Sequence, residues 1–309
     1  MKIVNRVAWV AVFLLAVFAI ASAQTPAPAG GGGQARGGAA QDVQVAANQL
    51  GPGFYALQAT GLSTVGALVG PDGVLMVDSG TAALTEKIVA AFKGVSDRPI
   101  RFLVNTHIHP DHTGGNENFA KLGVVLLGRD ELRTRLAVAG RGGPPAAASL
   151  PLLTYRDRVT FHMNGEDVEL IPVRGAHTDG DTMIFFPKAD VLMVGDFYRS
   201  IQYPNIDLPN GGSVKGVVDG LNAVIALAKP TTKIVPGHGP VVDKTAVAAN
   251  RDMILAIRDR VSALVAQGKS QEEVIAAKPL AEFDARVQQA GTTGDRFLGQ
   301  LYTDLKAGK

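Results

Sequence analysis

The chain has 309 residues, 46% of them apolar and 19% charged, which is enough to bury a substantial core. Its formal net charge of +2 comes from Lys2 and Arg6, and the rest of the chain carries equal numbers of basic and acidic side chains. This balance argues against a nucleic-acid partner. The chain has no cysteine, which excludes disulfides and thiolate ligands, so a metal site must use His, Asp or Glu.

The first 23 residues have the pattern of a secretory signal peptide. Lys2 and Arg6 precede the apolar run Val7–Ala21, and Ala21-Ser22-Ala23 provides a small-residue cleavage site. A retained membrane anchor is the alternative, but this run is shorter than the roughly 20 residues that span a bilayer. We therefore predict cleavage after Ala23, a periplasmic or secreted protein, and no stable membrane insertion of the mature chain.

Residues 24–41 are rich in Gly, Ala and Pro and predict a disordered spacer, so that the folded domain comprises residues 42–309. Early in this domain, Gly70-Pro71-Asp72-Gly73 lies between two apolar stretches and predicts a β-hairpin. A helix over Thr81–Lys93 and a buried strand over Ile100–Val104 follow. The next predicted elements are a helix, a strand, a helix and an exposed loop: Asn116–Leu122, Val124–Leu127, Asp130–Val138 and Gly140–Pro151.

A second run of strands is predicted from about Arg158. Its clearest members are Val168–Val173, Thr182–Pro187, Val191–Val194 and Lys233–Val235. Helices are predicted over Val214–Ala228 and Thr245–Gln267, and Ser270 with Glu273 has the spacing of a capping box that begins another helix. Alternating strands and helices predict a layered α/β domain, with a C-terminal helical extension from about residue 245 that packs on it.

Three of the six histidines lie within six residues, in His107-Ile108-His109-Pro110-Asp111-His112. Residues two apart in extended backbone project to the same side, so His107 and His109 can bind one ion. Asp111 and His112 then point elsewhere, which suits a second ion. A solvated loop whose histidines cap a helix is the alternative for this segment alone.

Three further candidates each follow a predicted strand and have glycine nearby: His177, Asp196 and His238. Ligand sites in layered α/β folds gather at such strand ends, which favours one shared metal site. The sixth histidine, His162, alternates with apolar neighbours and is predicted to face solvent from a strand.

Together these segments resemble the metallo-β-lactamase superfamily, whose His-x-His-x-Asp-His pattern is matched by residues 107–112. The resemblance spans about Phe54 to Asp243 and implies a four-layer αββα sandwich with the site at one edge between two sheets. It implies one metal held by His107, His109 and His177. It also implies a second ion, with Asp196 bridging both, held by Asp111, His112 and His238.

The resemblance also implies that Asp78 does not bind metal itself but supports the loops that carry the ligands. The alternative is that Asp78 only caps a turn. Zinc is the first choice for a histidine-rich site without cysteine, and iron or manganese also suit it. A hydroxide held between two divalent ions would attack the substrate, with Asp111 orienting it as the catalytic residue. After Asp196, four side chains are candidates for substrate binding: Tyr198, Arg199, Tyr203 and Asn205.

The predicted function is an exported dinuclear metal-dependent hydrolase of a small ester, lactone, thioester or amide. A β-lactamase is the alternative, although the resemblance places Cys or Ser at the position of Asp196 in such enzymes, whereas glyoxalase II-like thioesterases have Asp. An iron-dependent oxidoreductase on the same fold is a further alternative. A last alternative is a non-catalytic binding protein of the cell envelope, which would retain the metal site only for stability.

Overall fold

Hairpins and short crossovers organise the first half of the chain. In the computed structural model, which describes residues 45–58, 63–138 and 145–308, the predicted turn at Gly70-Pro71-Asp72-Gly73 joins antiparallel strands. The predicted signal peptide and spacer lie outside the described residues. Seven strands form the first sheet in sequential order, and the last four are parallel: β1 Ala46–Gly51, β2 Phe54–Gln58, β3 Val65–Gly70, β4 Gly73–Val77, β5 Ile100–Val104, β6 Val125–Arg129 and β7 Leu153–Tyr155.

The second sheet has five strands in the order β12-β11-β10-β9-β8. All of its neighbours are antiparallel except β11 and β12, which are joined by a helical crossover. The strands are β8 Val159–Met163, β9 Glu166–Pro172, β10 Thr182–Phe186, β11 Val191–Arg199 and β12 Lys233–His238.

Eight α-helices are present within the described residues. They are α1 Thr85–Lys93, α2 Pro110–Thr113, α3 Asn116–Lys121, α4 Asp130–Leu136, α5 Val214–Leu227, α6 Lys244–Ala266, α7 Gln271–Ala276 and α8 Ala290–Lys306. The predicted capping box is present at α7, where Ser270 and Glu273 bond reciprocally. Across these residues, no helix combines the length and apolar character needed to cross a bilayer.

Three buried clusters define the layers. Apolar side chains from both sheets meet in the middle, where the rings of Phe54 and Phe186 lie 4.6 Å apart. Helices α1 and α3 cover the outer face of the first sheet through Ile88 and Phe119. Helices α5, α6 and α8 cover the second sheet. Because each sheet buries both faces, the predicted four-layer αββα sandwich is confirmed.

The structure differs from the predicted elements at several points, among them β12, which continues past Val235 to His238. Strand β1 was not predicted, because its edge position leaves most of its side chains exposed without clear alternation. Strand β11 continues past Val194 to Arg199, so Asp196 lies inside the strand and not beyond its end. An irregular register with Gly195 at φ +57° marks this position. The predicted loop Gly140–Pro151 lies partly outside the described residues.

Candidate metal centre

The metal loop begins where β5 ends. Thr106 and His107 are buried, and His109 has extended backbone (φ −62°, ψ 148°) just before the short helix α2. Pro110 occupies the first helical position, where its missing N–H costs nothing. This turn places Asp111 and His112 on a helix, and their side chains therefore leave the loop in a different direction from those of His107 and His109.

The structure brings all seven predicted ligands together in two groups. Within each group, one potential ligand atom per residue lies within 4.8 Å of the others. The first group contains His107, His109, His177 and Asp196, and the second contains Asp111, His112 and His238. His162 is apart from them, exposed on β8 and paired with Asp167.

Asp196 connects the two groups through its two carboxylate oxygens. Its Oδ2 lies 3.8 Å from His177 Nε2 and 3.4 Å from His238 Nε2, and its Oδ1 lies 3.3 Å from His112 Nε2. Asp111 Oδ2 lies 3.0 Å from His238 Nε2. A carboxylate placed between two sets of ligands has the geometry of a bridging ligand.

Several atoms at the centre of this cluster have no hydrogen-bond partner although they are buried. They are His107 Nε2, His112 Nε2, His238 Nε2 and Asp196 Oδ1. A buried polar atom without a partner costs about 1–3 kcal/mol, so four of them in one place call for a bound group. Imidazole nitrogens and carboxylates without cysteine suit zinc and similar divalent ions, and the residues therefore fit a two-metal site.

Asp78 holds the loop from behind. Its carboxylate accepts hydrogen bonds from Thr106 N (2.7 Å) and Thr106 Oγ1 (2.8 Å) and lies 2.7 Å from His112 Nδ1. Asp78 is buried and has φ +64°, a conformation that Asp and Asn tolerate better than most residues. By contacting His112 Nδ1, Asp78 orients the imidazole ring so that His112 Nε2 points towards the cluster.

Two other ligands are oriented in the same way. His109 Nε2 lies 2.8 Å from Asp207 Oδ2, and His177 Nδ1 donates to the backbone oxygen of Asn205 at 2.5 Å. In both rings the remaining nitrogens face each other, with His109 Nδ1 2.9 Å from His177 Nε2. Because the outer nitrogen carries the proton, the inner nitrogen keeps its lone pair for a metal.

The histidines are held in different protonation states. Burial lowers the pKa of His107 well below its ordinary value and that of His177 to about 4, so both are neutral at pH 7. Burial acts in the same direction on His112 and His238. However, nearby carboxylates outweigh burial and raise the pKa of both side chains. These carboxylates are Asp78 and Asp196 for His112, and Asp111 and Asp196 for His238.

The carboxylates of the cluster stay ionised. Burial would raise the pKa of Asp196, but the charge of His112, whose Nε2 lies 3.3 Å from Asp196 Oδ1, outweighs burial and holds that pKa well below its ordinary value. Burial also opposes ionisation of Asp111, and the imidazole of His238, 3.0 Å from Asp111 Oδ2, nevertheless lowers its pKa to about 2. Both side chains are therefore available as anionic ligands.

The cluster opens to solvent on one side. The side chains of His112, His177 and Asp196 are at most 1% exposed, whereas Asp111 is 38% exposed and His109 is 23% exposed. A substrate can therefore approach from the side of Asp111 and His109, where a reacting group would meet both groups of ligands.

The four predicted substrate-binding residues have different surroundings. Arg199 donates to Asp196 Oδ2 (2.7 Å) and lies at the cluster. Tyr198 is buried, and burial raises its pKa to about 12. Tyr203 is buried with its hydroxyl on Asp284, and Asn205 uses its backbone oxygen for His177 and its side chain for Gln300. Tyr198 and Tyr203 therefore pack the loop after Asp196, and Asn205 supports the ligand His177.

Sequence reasoning missed several supports of the site. Asp207 orients His109, and Asp181 accepts hydrogen bonds from the backbone N–H groups of His177 and Thr178. Asp181 follows His177 in the same short loop, and this closeness was the available signal. Asp207 is 98 residues from His109, and nothing in its local sequence distinguishes it from a turn residue.

Comparison with known proteins agrees with this geometry. The sequence profile of the Metallo-beta-lactamase superfamily matches residues 60–238, more than half of the chain and all seven ligands. The chain belongs to the metallo-β-lactamase superfamily. The predicted family is thus confirmed, and the comparisons also support the prediction of a metal-binding hydrolase.

Relatives within the metallo-β-lactamase superfamily include sulfatases. A linear primary-alkylsulfatase from Pseudomonas sp. is 23% identical over 252 residues, covering 66% of this chain and 48% of the relative. The structure of a stereoselective inverting sec-alkylsulfatase from Pseudomonas sp. has a TM-score of 0.65 at 18% identity, covering 84% of this chain and 50% of that one. This chain therefore spans about half the length of these alkylsulfatases.

A solved structure of a metallo-β-lactamase from Pontibacter korlensis has a TM-score of 0.59 at 19% identity. It covers 69% of this chain and 99% of that one. At such identities the likeness of the solved structures concerns the fold, which they share with this member of the superfamily.

Proposed function

We propose that this chain is an exported hydrolase that uses two divalent metal ions, with zinc as the first choice, to cleave a small ester, lactone, thioester or amide. The convergence of seven ligand side chains around buried, unpartnered nitrogen and oxygen atoms carries the proposal. Two ions held there would supply a water-derived nucleophile at neutral pH and polarise the scissile group.

The protein's own side chains prepare this reaction. Asp111 is ionised and half-exposed at the mouth of the cluster, so it can accept a hydrogen bond from an attacking water and fix its direction. Asp78 and Asp207 hold the rings of His112 and His109. Since these contacts exist before substrate binds, little rearrangement is needed during the reaction.

Sulfate-ester hydrolysis is a second candidate. Its support is the alkylsulfatase relative, together with the guanidinium of Arg199 beside Asp196, since arginine is well suited to bind oxyanions. Hydrolysis of β-lactams is a third candidate, supported by the metallo-β-lactamase of similar fold.

A substrate panel of lactones, thioesters, carboxylic esters, sulfate esters and β-lactams tests the proposal. We expect His109→Ala to abolish the hydrolysis that the metal-loaded wild type shows. The matched control is His162→Ala, which removes an exposed histidine that likewise contacts an aspartate. If His109→Ala and Asp111→Ala retained wild-type rates on every substrate that is cleaved, hydrolysis at this site would be refuted.

Export is tested separately. The predicted leader places the mature protein in the periplasm or outside the cell, and the expected mature chain begins at Gln24. Fractionation of the source cells with N-terminal sequencing measures both, and a cytoplasmic, full-length chain would contradict export.

A further inference from the structure

Helix α4 presents an arginine to the loop that carries the ligand His177. Arg135 binds the carboxylate of Asp179 through two hydrogen bonds, from Nε to Oδ1 at 2.6 Å and from Nη2 to Oδ2 at 2.5 Å. A paired contact of this kind fixes direction as well as distance, because the guanidinium group is planar. Asp179 lies two residues after His177, so the contact holds the ligand loop against α4.

The remaining nitrogen of the same guanidinium group binds the turn that precedes α5. Arg135 Nη1 donates to Asn210 Oδ1 at 3.1 Å and to the backbone oxygen of Pro209 at 3.2 Å. Asn210 Nδ2 donates in turn to Asp207 Oδ2 at 2.7 Å, the oxygen atom that lies 2.8 Å from His109 Nε2. A chain of side-chain contacts therefore runs from Arg135 to a second metal ligand.

The loop and the turn also meet through their backbones. Asp207 N donates to His177 O at 3.0 Å, and a Cβ at Gly212 would lie only 2.4 Å from the same oxygen. On the other side of the loop, a Cβ at Gly180 would lie 3.0 Å from Leu132 N in α4. The loop is thus packed between α4 and the turn before α5, and the guanidinium group of α4 joins all three segments.

The second group of ligands lies outside this arrangement. Asp111 and His112 belong to α2, and His238 is the last residue of β12. Within the part of the chain that the structure describes, neither Arg135 nor Asp179 forms a hydrogen bond with these three side chains. The contacts of the arginine therefore concern the first group of ligands.

We propose that Arg135 is a positioning residue of the metal centre, which holds the rings of His177 and His109 in place and thereby sets the affinity for the ion of the first group. The contacts of Arg135 with Asp179 and Asn210 are called the Arg135 clamp below. The inference rests on the proposed function, whose metal site it concerns. Because the clamp orders both loops before an ion arrives, ion binding loses less conformational freedom.

Zinc titration followed through the NMR signals of the histidine rings tests the proposal. In Arg135→Ala we expect the rings of His109 and His177 to require about 10- to 100-fold more free zinc than in wild type, the usual effect of removing a support of a ligand. The rings of His112 and His238 should respond at wild-type zinc concentrations. A merely structural role of the arginine would not produce this difference between the two groups.

Two further variants and one control separate the clamp from a change in net charge. Arg135→Lys keeps the charge but loses the planar fork that binds Asp179 and Asn210 together, so we expect the same loss of zinc affinity. Asp179→Ala removes the other half of the clamp, and adding it to Arg135→Ala should cause no further loss, since the two residues act as a unit. The matched control is Arg156→Ala, which removes an arginine paired with Asp130 of the same helix and should keep wild-type affinity.

A second measurement needs no metal. The Nδ1 proton of His177 is bonded to the backbone oxygen of Asn205, and the ring is buried. In metal-free Arg135→Ala, this proton should exchange with solvent about tenfold faster than in wild type, because the loop opens more often. If the wild type binds no zinc, the proposed function fails, while the exchange rates still decide whether Arg135 holds the loop.

Wild-type zinc affinity in Arg135→Ala or in Arg135→Lys would overturn the proposal, as would an unchanged exchange rate. An equal loss from both ligand groups, or an equal loss in Arg156→Ala, would also overturn it, because it would indicate only a general effect on stability or charge. The side chain of Arg135 is 26% exposed, so we expect Arg135→Ala to fold. If it does not fold, Arg135→Lys, which keeps the charge, gives the same readings.

Discussion

Asp207 Oδ2 lies 2.8 Å from His109 Nε2, on the side of the ring that faces away from His177. The carboxylate thereby fixes the ring of a metal ligand from 98 residues further along the chain. The hydrogen bond of His109 also helps to lower the pKa of Asp207 to about 2, against the effect of burial. The contact therefore joins an ionised carboxylate to the ligand at the solvent-exposed side of the cluster.

We expect Asp207→Ala to weaken metal binding about 10- to 100-fold, because His109 loses the acceptor that sets its orientation. Asp207→Asn keeps an acceptor and should retain most of the affinity. Zinc titration against a competing chelator measures the change. The control is Asp167→Ala, which removes the partner of the exposed His162. Wild-type affinity in Asp207→Ala would show that His109 needs no such support.

Asp78→Asn is predicted to separate folding from metal binding. Asn tolerates the φ of +64° and still accepts from Thr106, so stability should change by no more than about 1 kcal/mol. Its amide, however, donates to His112 Nδ1, which moves the ring proton to Nε2 and blocks that ligand atom. Denaturant unfolding and metal content measure the two effects. Retention of both metals in a folded variant would contradict this role.

Gly237→Ala should disturb the bridging ligand directly. A Cβ at this position would lie 2.0 Å from Asp196 Oδ1 and 3.1 Å from His112 Cε1, so the carboxylate must move. We expect the variant to lose at least one equivalent of metal. Gly291→Ala, where a Cβ meets nothing within 4 Å, serves as the control and should keep wild-type metal content. Full metal content in Gly237→Ala would show that Asp196 does not bridge.

The two ligand groups are predicted to differ in their pH dependence. His112 and His238 have raised pKa values in the metal-free protein, so a metal must displace their protons and its affinity increases as the pH rises through these values. His107 and His177 have lowered pKa values, are already neutral near pH 6, and release no proton. The first group should therefore fill at lower pH than the second.

Metal content after dialysis at about pH 6 and about pH 8 tests this order. Fewer equivalents are expected at the lower pH. Calorimetry in two buffers of different ionisation enthalpy should detect proton release with the second equivalent bound. Identical pH dependence of both equivalents would contradict the different protonation states of the two groups.

The metal loop could be predicted from the sequence because its information is local. His107, His109 and His112 follow a buried strand, and their spacing alone assigns His107 and His109 to one direction and His112 to another. His177 follows a further strand and His238 is the last residue of another, each with glycine nearby. The layered fold could also be predicted, since strand and helix periodicities reflect burial on one or two faces.

Contacts between distant segments could not be predicted in this way. Asp207 resembles a turn residue until folding brings it to His109. Strand β11 continues through Asp196 to Arg199 although its register against β12 shifts on both sides of Gly195, and this pairing depends on the neighbouring strand. Such features arise from tertiary packing and leave no local pattern.

The central claim is that Asp196 joins two metal-binding groups in one site, and native mass spectrometry of the metal-loaded protein tests it most directly. The wild type is expected to carry two divalent ions per chain, and Asp196→Ala fewer than two under the same conditions. A wild type that binds one ion at most after reconstitution with excess metal would contradict the dinuclear site.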